Sequence, residues 1–307
     1  MQIIDTTKTR IAMTNSKKES LKKNFRLLIT TLLLIAFATS CKEQKDPDTK
    51  YYPPKGESKN VAIMMIGGSE GGLPNYFDTE GFTAKGYPCI VIGYFKTKNT
   101  PERLELIPLE YFEDAIMKFK SQPDVGNKKI LVWGNSKGGE LALLLASRYK
   151  QIEGVIASVP SSVVFQGIGA SSSSWSYKGE PIPFVPYAPY DQSKVVNREY
   201  REMYELSLKQ TAAVEKAAIK VENINGPILL LSGREDTMWP SSQMSEMIIK
   251  RLEEKEFPHW SGHFAYDDAG HTLDDSYMMG GNKVGNKKAR IDSEQRIIDF
   301  INKLSQQ

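Results

Sequence analysis

Gly134, Ser136 and Gly138 alternate with Asn135 and Lys137 in "WGNSKGGE", after the apolar run "KILV" and before the helix-forming "ELALLLASRYK". A Gly-x-Ser-x-Gly pattern at a strand-to-helix junction suits a turn that lifts a serine hydroxyl above a sheet, with glycines where the turn has no room for side chains. A serine hydroxyl is a weak nucleophile until a base takes its proton, so Ser136 requires a histidine. The chain has three, His259, His263 and His271. His271 follows Gly270 in a loop after the strand-like "HFAYDD" and before the last helix, where the base of a serine–acid–histidine order belongs. His259 and His263 bracket Trp260 and read as strand or surface residues. The acid that orients the imidazole should follow the strand before it; "ILLLSGRED" offers Glu235 and Asp236, and Asp236 is preferred. Asp267, Asp268, Asp274 and Asp275 read as a solvated turn whose charge would raise the histidine's pKa.

Acyl transfer through such a trio also needs two donors for the tetrahedral oxyanion. One is expected from the backbone N–H of Lys137, at a helix N-terminus. The other is expected from "GGSEGGLP", Gly67 to Pro74, where glycines allow close backbone approach; the N–H of Glu70 is preferred, with Ser69 as the alternative. This loop has neither the Lys-Ser/Thr of a phosphate loop nor the dinucleotide glycine spacing. No spacing of His, Cys and carboxylates points to a metal, and no cofactor is expected.

These residues need elements to hold them. "VAIMMIGG", "PCIVIGYF", "KILVW", "GVIASVP" and "GPILLLSG" are short continuous apolar runs, as in strands buried on both faces. Helix-like stretches separate them: "NYFDTEGFTAKG", then "PLEYFEDAIMKFKSQ" with Leu109, Phe112, Ile116 and Phe119 on one face, then "SSQMSEMIIKRLEEK" and "DSEQRIIDFINKLS". The alternation predicts an α/β chain with a mostly parallel sheet covered by helices on both faces. From Ser161 to Asn225 the rhythm breaks into "SSSSWSYKGEPIPFVPYAPYD" and a helical stretch over about 197–221. That length predicts an inserted lid rather than a loop. Trp175, Tyr177, Phe184 and Trp239 are candidates for an acyl pocket.

The chain of 307 residues carries a formal charge of +3, with 40% hydrophobic and 25% charged residues, an ordinary globular composition. Residues 1–40 hold seven Lys or Arg against Asp5 and Glu19, a local +5 that leaves −2 for the remainder. No nucleic-acid partner is implied. The basic excess belongs to "KKNFR", followed by the apolar "LLITTLLLIAFA" and the small-residue exit "TSC"; this reads as a signal peptide over 1–40, starting at Met1 or Met13. The exit into Cys41 resembles a bacterial lipobox with Ala38 in place of the preferred Leu, so Cys41 is the expected lipidation site and the cell envelope the expected location. Residues 41–59 read as a polar tether. Cys89, in an apolar run, reads as a buried, inert thiol.

Together, the Gly134–Gly138 turn, "GGSEGG", "SSSSWSYKGEPIPFVP" and "SGREDTMWPS" resemble the C-terminal catalytic domain of the acyl-CoA thioesterase and bile acid-CoA:amino acid N-acyltransferase family, with dienelactone hydrolases as similar relatives. The resemblance runs from about Val61 to the C-terminus. It implies an α/β-hydrolase fold over 60–307, with the lid at about 161–225. It also implies a triad of Ser136, Asp236 and His271, and hydrolysis of acyl thioesters or esters. Serine at the turn resembles the thioesterase branch, since the acyltransferases typically use cysteine. Other expectations consistent with the residues are a carboxylesterase acting on a non-CoA ester, an acyltransferase, and a non-catalytic binding lipoprotein.

Overall fold

The computed structural model describes residues 46–191, 193 and 199–307; the signal-like segment and Cys41 lie outside them. The elements in chain order are β1 (Asp48–Tyr52), β2 (Val61–Ile66), α1 (Thr79–Ala84), β3 (Cys89–Gly93), β4 (Ile107–Pro108), α2 (Leu109–Lys120), β5 (Lys129–Asn135), α3 (Lys137–Arg148), β6 (Ile152–Ser158), β7 (Trp175–Tyr177), β8 (Glu180–Pro181), α4 (Arg201–Leu208), α5 (Thr211–Ala217), β9 (Ile228–Gly233), α6 (Ser241–Glu254), β10 (Ser261–Tyr266) and α7 (Lys283–Gln306). Among the described residues, seven strands form one sheet in the order β1-β3-β2-β5-β6-β9-β10. Every pairing is parallel except β1 with β3. From β2 the chain moves outward to β3, then returns to place β5 on the other side. Strand order therefore reverses between β2 and β5, and the crevice beyond the carboxyl ends of these two strands is where such sheets bind ligands.

The apolar runs follow from burial on two sides. Ala62, Met64 and Ile66 of β2 join Ile130 and Val132 of β5 in a core shared with α2 and α3. The alternate residues Val61, Ile63, Met65 and Leu131 face a second core with Ile297, Phe300 and Ile301 of α7. Period-two alternation puts neighbouring residues on opposite faces, so a strand buried on both must be apolar throughout. Helix α2 buries Leu109, Phe112, Ile116 and Phe119, the face expected from their spacing. Cys89 is fully buried, and desolvation pushes its thiol up to about 12.

Four boundaries differ from expectation. The polar 41–59 segment contains the edge strand β1, which pairs antiparallel with β3. Its anchoring is tertiary: the Asp48 carboxylate accepts from the Asn99 backbone and side chain at 2.8 and 2.9 Å and from the Thr97 hydroxyl. Helix α1 is only six residues long, with Asp78 capping Gly81 N at 2.8 Å. The helical stretch expected over 197–221, of which 197 and 198 lie outside the described residues, is broken into α4 and α5, separated by Lys209 and Gln210. Helix α7 begins at Lys283, where Asn282 caps Gly285 N, nine residues before "DSEQRIIDF". Its first turns pack on the loop that carries His271, which the local apolar pattern does not signal.

The insertion between β6 and β9 supplies β7 and β8, which join β4 in a small three-stranded sheet. Val163, Phe165, Val185, Met203, Tyr204, Ala217, Trp239 and Met244 form its own apolar cluster. Trp239 and Met244 come from beyond β9, so the insertion is packed onto the segment that carries Asp236. No helix among the described residues is long and apolar enough to cross a membrane.

Candidate active site

Strand β5 ends at Asn135 and α3 begins at Lys137, leaving Ser136 alone to turn the chain. It does so at φ 57°, ψ −119°, a conformation rarely adopted by a residue with a side chain. A Cβ on Gly134 would lie 1.9 Å from the Gly138 carbonyl oxygen, and one on Gly138 would lie 2.3 Å from that of Gly67. Neither position tolerates a methyl group without backbone movement. Gly134→Ala is accordingly expected to lower stability by about 1–3 kcal/mol, or to prevent folding, as read from the urea unfolding midpoint.

The other two predicted groups converge on Ser136 from the ends of β9 and β10. His271 Nε2 lies 2.7 Å from Ser136 Oγ, and His271 Nδ1 lies 2.8 Å from Asp236 Oδ2. Asp236 is fully buried. Its Oδ1 accepts from the amides of Met238 (2.9 Å) and Trp239 (3.2 Å), and Oδ2 accepts also from Ser241 Oγ at 2.6 Å. Such a carboxylate is fixed in position and its charge is well solvated by donors. The histidine is held by its backbone as well: His271 N donates to Met279 O at 2.8 Å, and Gly270 N to Asn286 Oδ1 at 3.0 Å. The Trp239 ring meets the imidazole edge-on at 5.9 Å between centroids.

The remaining acids and histidines lie elsewhere. Asp267 pairs with Arg234, and Asp275 with Arg290. Asp274 accepts from Ser276 N. His259 is exposed, and His263 bonds Ser232 Oγ at 2.7 Å. On the glycine-rich loop, the Glu70 carboxylate folds back to accept from Gly68 N at 3.0 Å and from the Tyr76 hydroxyl at 3.0 Å, so this side chain fixes the loop.

Of the four aromatic candidates only Trp239 adjoins the triad. Trp175 is fully buried behind α3, where its indole N–H donates to Glu140 Oε1 at 2.8 Å. Tyr177 packs on the same core and under Arg148, at 4.2 Å. Phe184 lies against that core and lines a separate shallow groove with Ile182 and Ala213. A cleft of about 650 Å³ is lined by Gln166, Tyr187, Tyr190, Tyr200, Met203 and Tyr204; it reaches toward the triad through Ser69, next to Gly68, and Met238, whose amide donates to Asp236. Tyr187 and Tyr190 belong to the aromatic-rich stretch noted in the sequence and Tyr200 and Tyr204 to the helical stretch after it, but composition does not say which rings turn inward.

One buried ion pair supports the turn from behind. Lys137 Nζ lies 2.8 Å from both oxygens of Glu140, and both side chains are almost wholly buried. Burial lowers the Lys137 pKa and raises that of Glu140, while each charge favours the other's ionised form. Glu140→Gln would keep an acceptor for Trp175 but leave the ammonium without a counter-charge. The expected cost is about 3–5 kcal/mol, measurable as a fall in the urea midpoint.

A family model described as BAAT / acyl-CoA thioester hydrolase C terminal matches residues 107–305. The chain belongs to this family. The matched range includes Ser136, Asp236 and His271 and the strands β5, β6, β9 and β10 of the seven-stranded sheet. Acyl-coenzyme A thioesterase 1 of Mus musculus is 29% identical over 273 residues, covering 83% of this chain and 62% of that one. Mitochondrial acyl-coenzyme A thioesterase 2 of Mus musculus is also 29% identical, covering 83% and 57%. The chain thus spans about three fifths of the length of the curated relatives it matches. Among solved structures, the acylaminoacyl peptidase of Pyrococcus horikoshii superposes with a TM-score of 0.55 at 15% identity, over 84% of this chain and 40% of that one. An alpha/beta hydrolase enzyme from a Medee basin deep-sea metagenome library gives 0.51 at 17% identity, over 85% and 94%. At these identities the two structures speak for the fold alone.

Proposed function

We propose that this chain is a serine-nucleophile hydrolase that cleaves acyl thioesters or esters through an acyl-enzyme. The observation that carries the reading is the unbroken line from Ser136 Oγ through both ring nitrogens of His271 to a buried Asp236. Ser136 Oγ attacks the acyl carbonyl carbon as its proton passes to His271 Nε2, while Nδ1–H remains on Asp236. The tetrahedral intermediate collapses, Nε2 returns the proton to the departing thiolate or alkoxide, and the acyl group stays on Ser136. Water then attacks that ester with Nε2 as base again, releasing the acid and the free serine. The Lys137 amide, first in α3, is one oxyanion donor, with the positive end of the helix dipole behind it. The cleft of tyrosines and methionines receives the acyl group, with ring faces and thioethers to pack on its carbon chain and Gln166 and the tyrosine hydroxyls to meet its polar atoms.

The thioester half of the reading draws support from the relatives, which are named as acyl-coenzyme A thioesterases. The ester half draws support from the N-terminal sequence. We place the chain in a bacterial envelope, anchored by a lipid on Cys41, on the strength of the basic, apolar and small-residue order around "LLITTLLLIAFATSC". An exported enzyme would meet esters other than those of coenzyme A.

Labelling of the purified protein by a fluorophosphonate probe, lost in Ser136→Ala, tests the mechanism. Side-by-side assays of p-nitrophenyl esters and palmitoyl-CoA then choose the leaving group. Absence of labelling in the folded wild type would sink the hydrolase reading in favour of a binding protein. Metabolic incorporation of an alkyne fatty acid, lost in Cys41→Ser, tests the anchor.

A further inference from the structure

Two carbonyls of the glycine-rich loop turn inward onto one buried hydroxyl. Tyr94 Oη lies 3.0 Å from Gly67 O and 2.5 Å from Gly68 O. The tyrosine follows β3, is 3% exposed, and packs against Phe112 and Trp175 at 5.8 and 5.6 Å between centroids. The mechanism above assigns it no part.

A trans peptide is planar, so the C=O at one end and the N–H at the other point in opposite directions. No cis bond occurs among the described residues. With the Gly68 carbonyl aimed down at Tyr94, the Ser69 N–H across the same peptide must aim up, away from the core. What lies on that side is the active site: a Cβ on Gly68 would sit 3.2 Å from Ser136 Cβ, and Ser69 lines the cleft. The preceding peptide obeys the same rule. Gly67 O faces Tyr94, and the Gly68 N–H across that bond points the other way, to Glu70 Oε1 at 3.0 Å and Tyr76 Oη at 3.3 Å. The Gly68 amide is therefore engaged already, and the Ser69 amide is the next that faces Ser136.

We propose that the Ser69 N–H is the second oxyanion donor, in place of the Glu70 N–H, and that Tyr94 is the positioning residue that aims it. This rests on the hydrolase reading above. The loop is glycine-rich on both sides, with Gly71 and Gly72 at φ 77° and 76°; Glu70 and Tyr76 hold the Gly68 amide, and the Tyr94 hydroxyl holds the Gly68 carbonyl against rotation of the Gly68–Ser69 peptide. A rotated peptide would present a carbonyl oxygen to the oxyanion instead of a donor. Burial holds the Tyr94 pKa well above that of an ordinary tyrosine, so its hydroxyl keeps the hydrogen it donates.

The test is steady-state hydrolysis of a p-nitrophenyl ester by Tyr94→Phe, which keeps the ring and deletes the hydroxyl. The expected result is a fall in kcat of about 10–100-fold with KM within about twofold, because only the transition state develops the charge that the donor meets. The acyl-enzyme carbonyl should also shift to higher infrared frequency as it loses a hydrogen bond, a change that a purely structural role would not cause. Should Tyr94→Phe fail to fold, Ser69→Pro removes the amide hydrogen directly and should lower kcat by about 100-fold. A folded Tyr94→Phe with wild-type kcat and an unshifted carbonyl would overturn the proposal, as would a Ser69→Pro enzyme of undiminished kcat. Failure of the hydrolase reading itself would look different, since the wild type would then turn over neither ester nor thioester; should it turn over only palmitoyl-CoA, the same comparison is made on that substrate.

Discussion

Ser136→Ala is expected to lower kcat by about 10⁴-fold or more while leaving KM nearly unchanged, because alanine fills the same space and removes only the attacking oxygen. Substrate binding in the cleft does not depend on Oγ, so the loss should fall on kcat. The same position gives a second, independent measurement. Ser136 sits at φ 57°, and alanine inherits that strain because it too has a Cβ. Ser136→Gly does not, and should exceed Ser136→Ala in stability by about 1–3 kcal/mol in urea unfolding, with activity equally lost. Equal stability of the two variants would mean that the turn stores no strain. Wild-type turnover by either would remove Ser136 from the mechanism.

Asp236→Asn is expected to lower kcat by about 10⁴-fold through the proton arrangement rather than the geometry. The buried carboxylate accepts on both oxygens: the Met238 and Trp239 amides donate to Oδ1, and Ser241 Oγ and His271 Nδ1 lie on Oδ2. An asparagine can satisfy the two amides only with its carbonyl on the Oδ1 side. Its NH₂ then faces His271, which must accept at Nδ1 and carry its hydrogen on Nε2. An imidazole in that form donates to Ser136 and cannot take its proton. The nitrogen-15 shifts of the two ring nitrogens should exchange character in the variant, and a variant that kept both the wild-type tautomer and kcat would contradict the assigned role. The hydroxyl of Ser241 can rotate to accept from the new NH₂, so the fold should survive the change.

The contrast between these two sites shows how unevenly the molecule can be read from its residues. Gly134 is legible because a Cβ there would meet the Gly138 carbonyl oxygen within the one turn; Gly138 is legible only through the Gly-x-Ser-x-Gly pattern, since the backbone oxygens that exclude its Cβ belong to Ile66 and Gly67, far away in the chain. The strands β2, β3, β5, β6 and β9 are legible because burial on both faces makes their central residues a continuous apolar run, and α2 because one face repeats at helical spacing. His271 and Asp236 could be picked out by chain order and scarcity, with three histidines to choose from.

What escapes are features whose cause is remote in the chain. Strand β1 has a polar sequence and exists because β3 offers an open edge and Asn99 and Thr97 hold Asp48. Trp175, from the same aromatic-rich stretch as the cleft residues Tyr187 and Tyr190, turns away from the cleft because Glu140 supplies a buried acceptor 35 residues earlier in sequence. Tyr94 gains its place under the loop only because β3 lies beside β2 in the sheet, bringing the end of one strand beneath the loop that follows the other. The residue types and short spacings of this chain thus settle its doubly buried strands, its turn and the candidates for its triad, since those follow from local sterics, periodic burial and chain order. Which rings line the cleft, and which amide faces Ser136, depend on contacts closed across tens of residues, and these come into being only when the sheet is assembled.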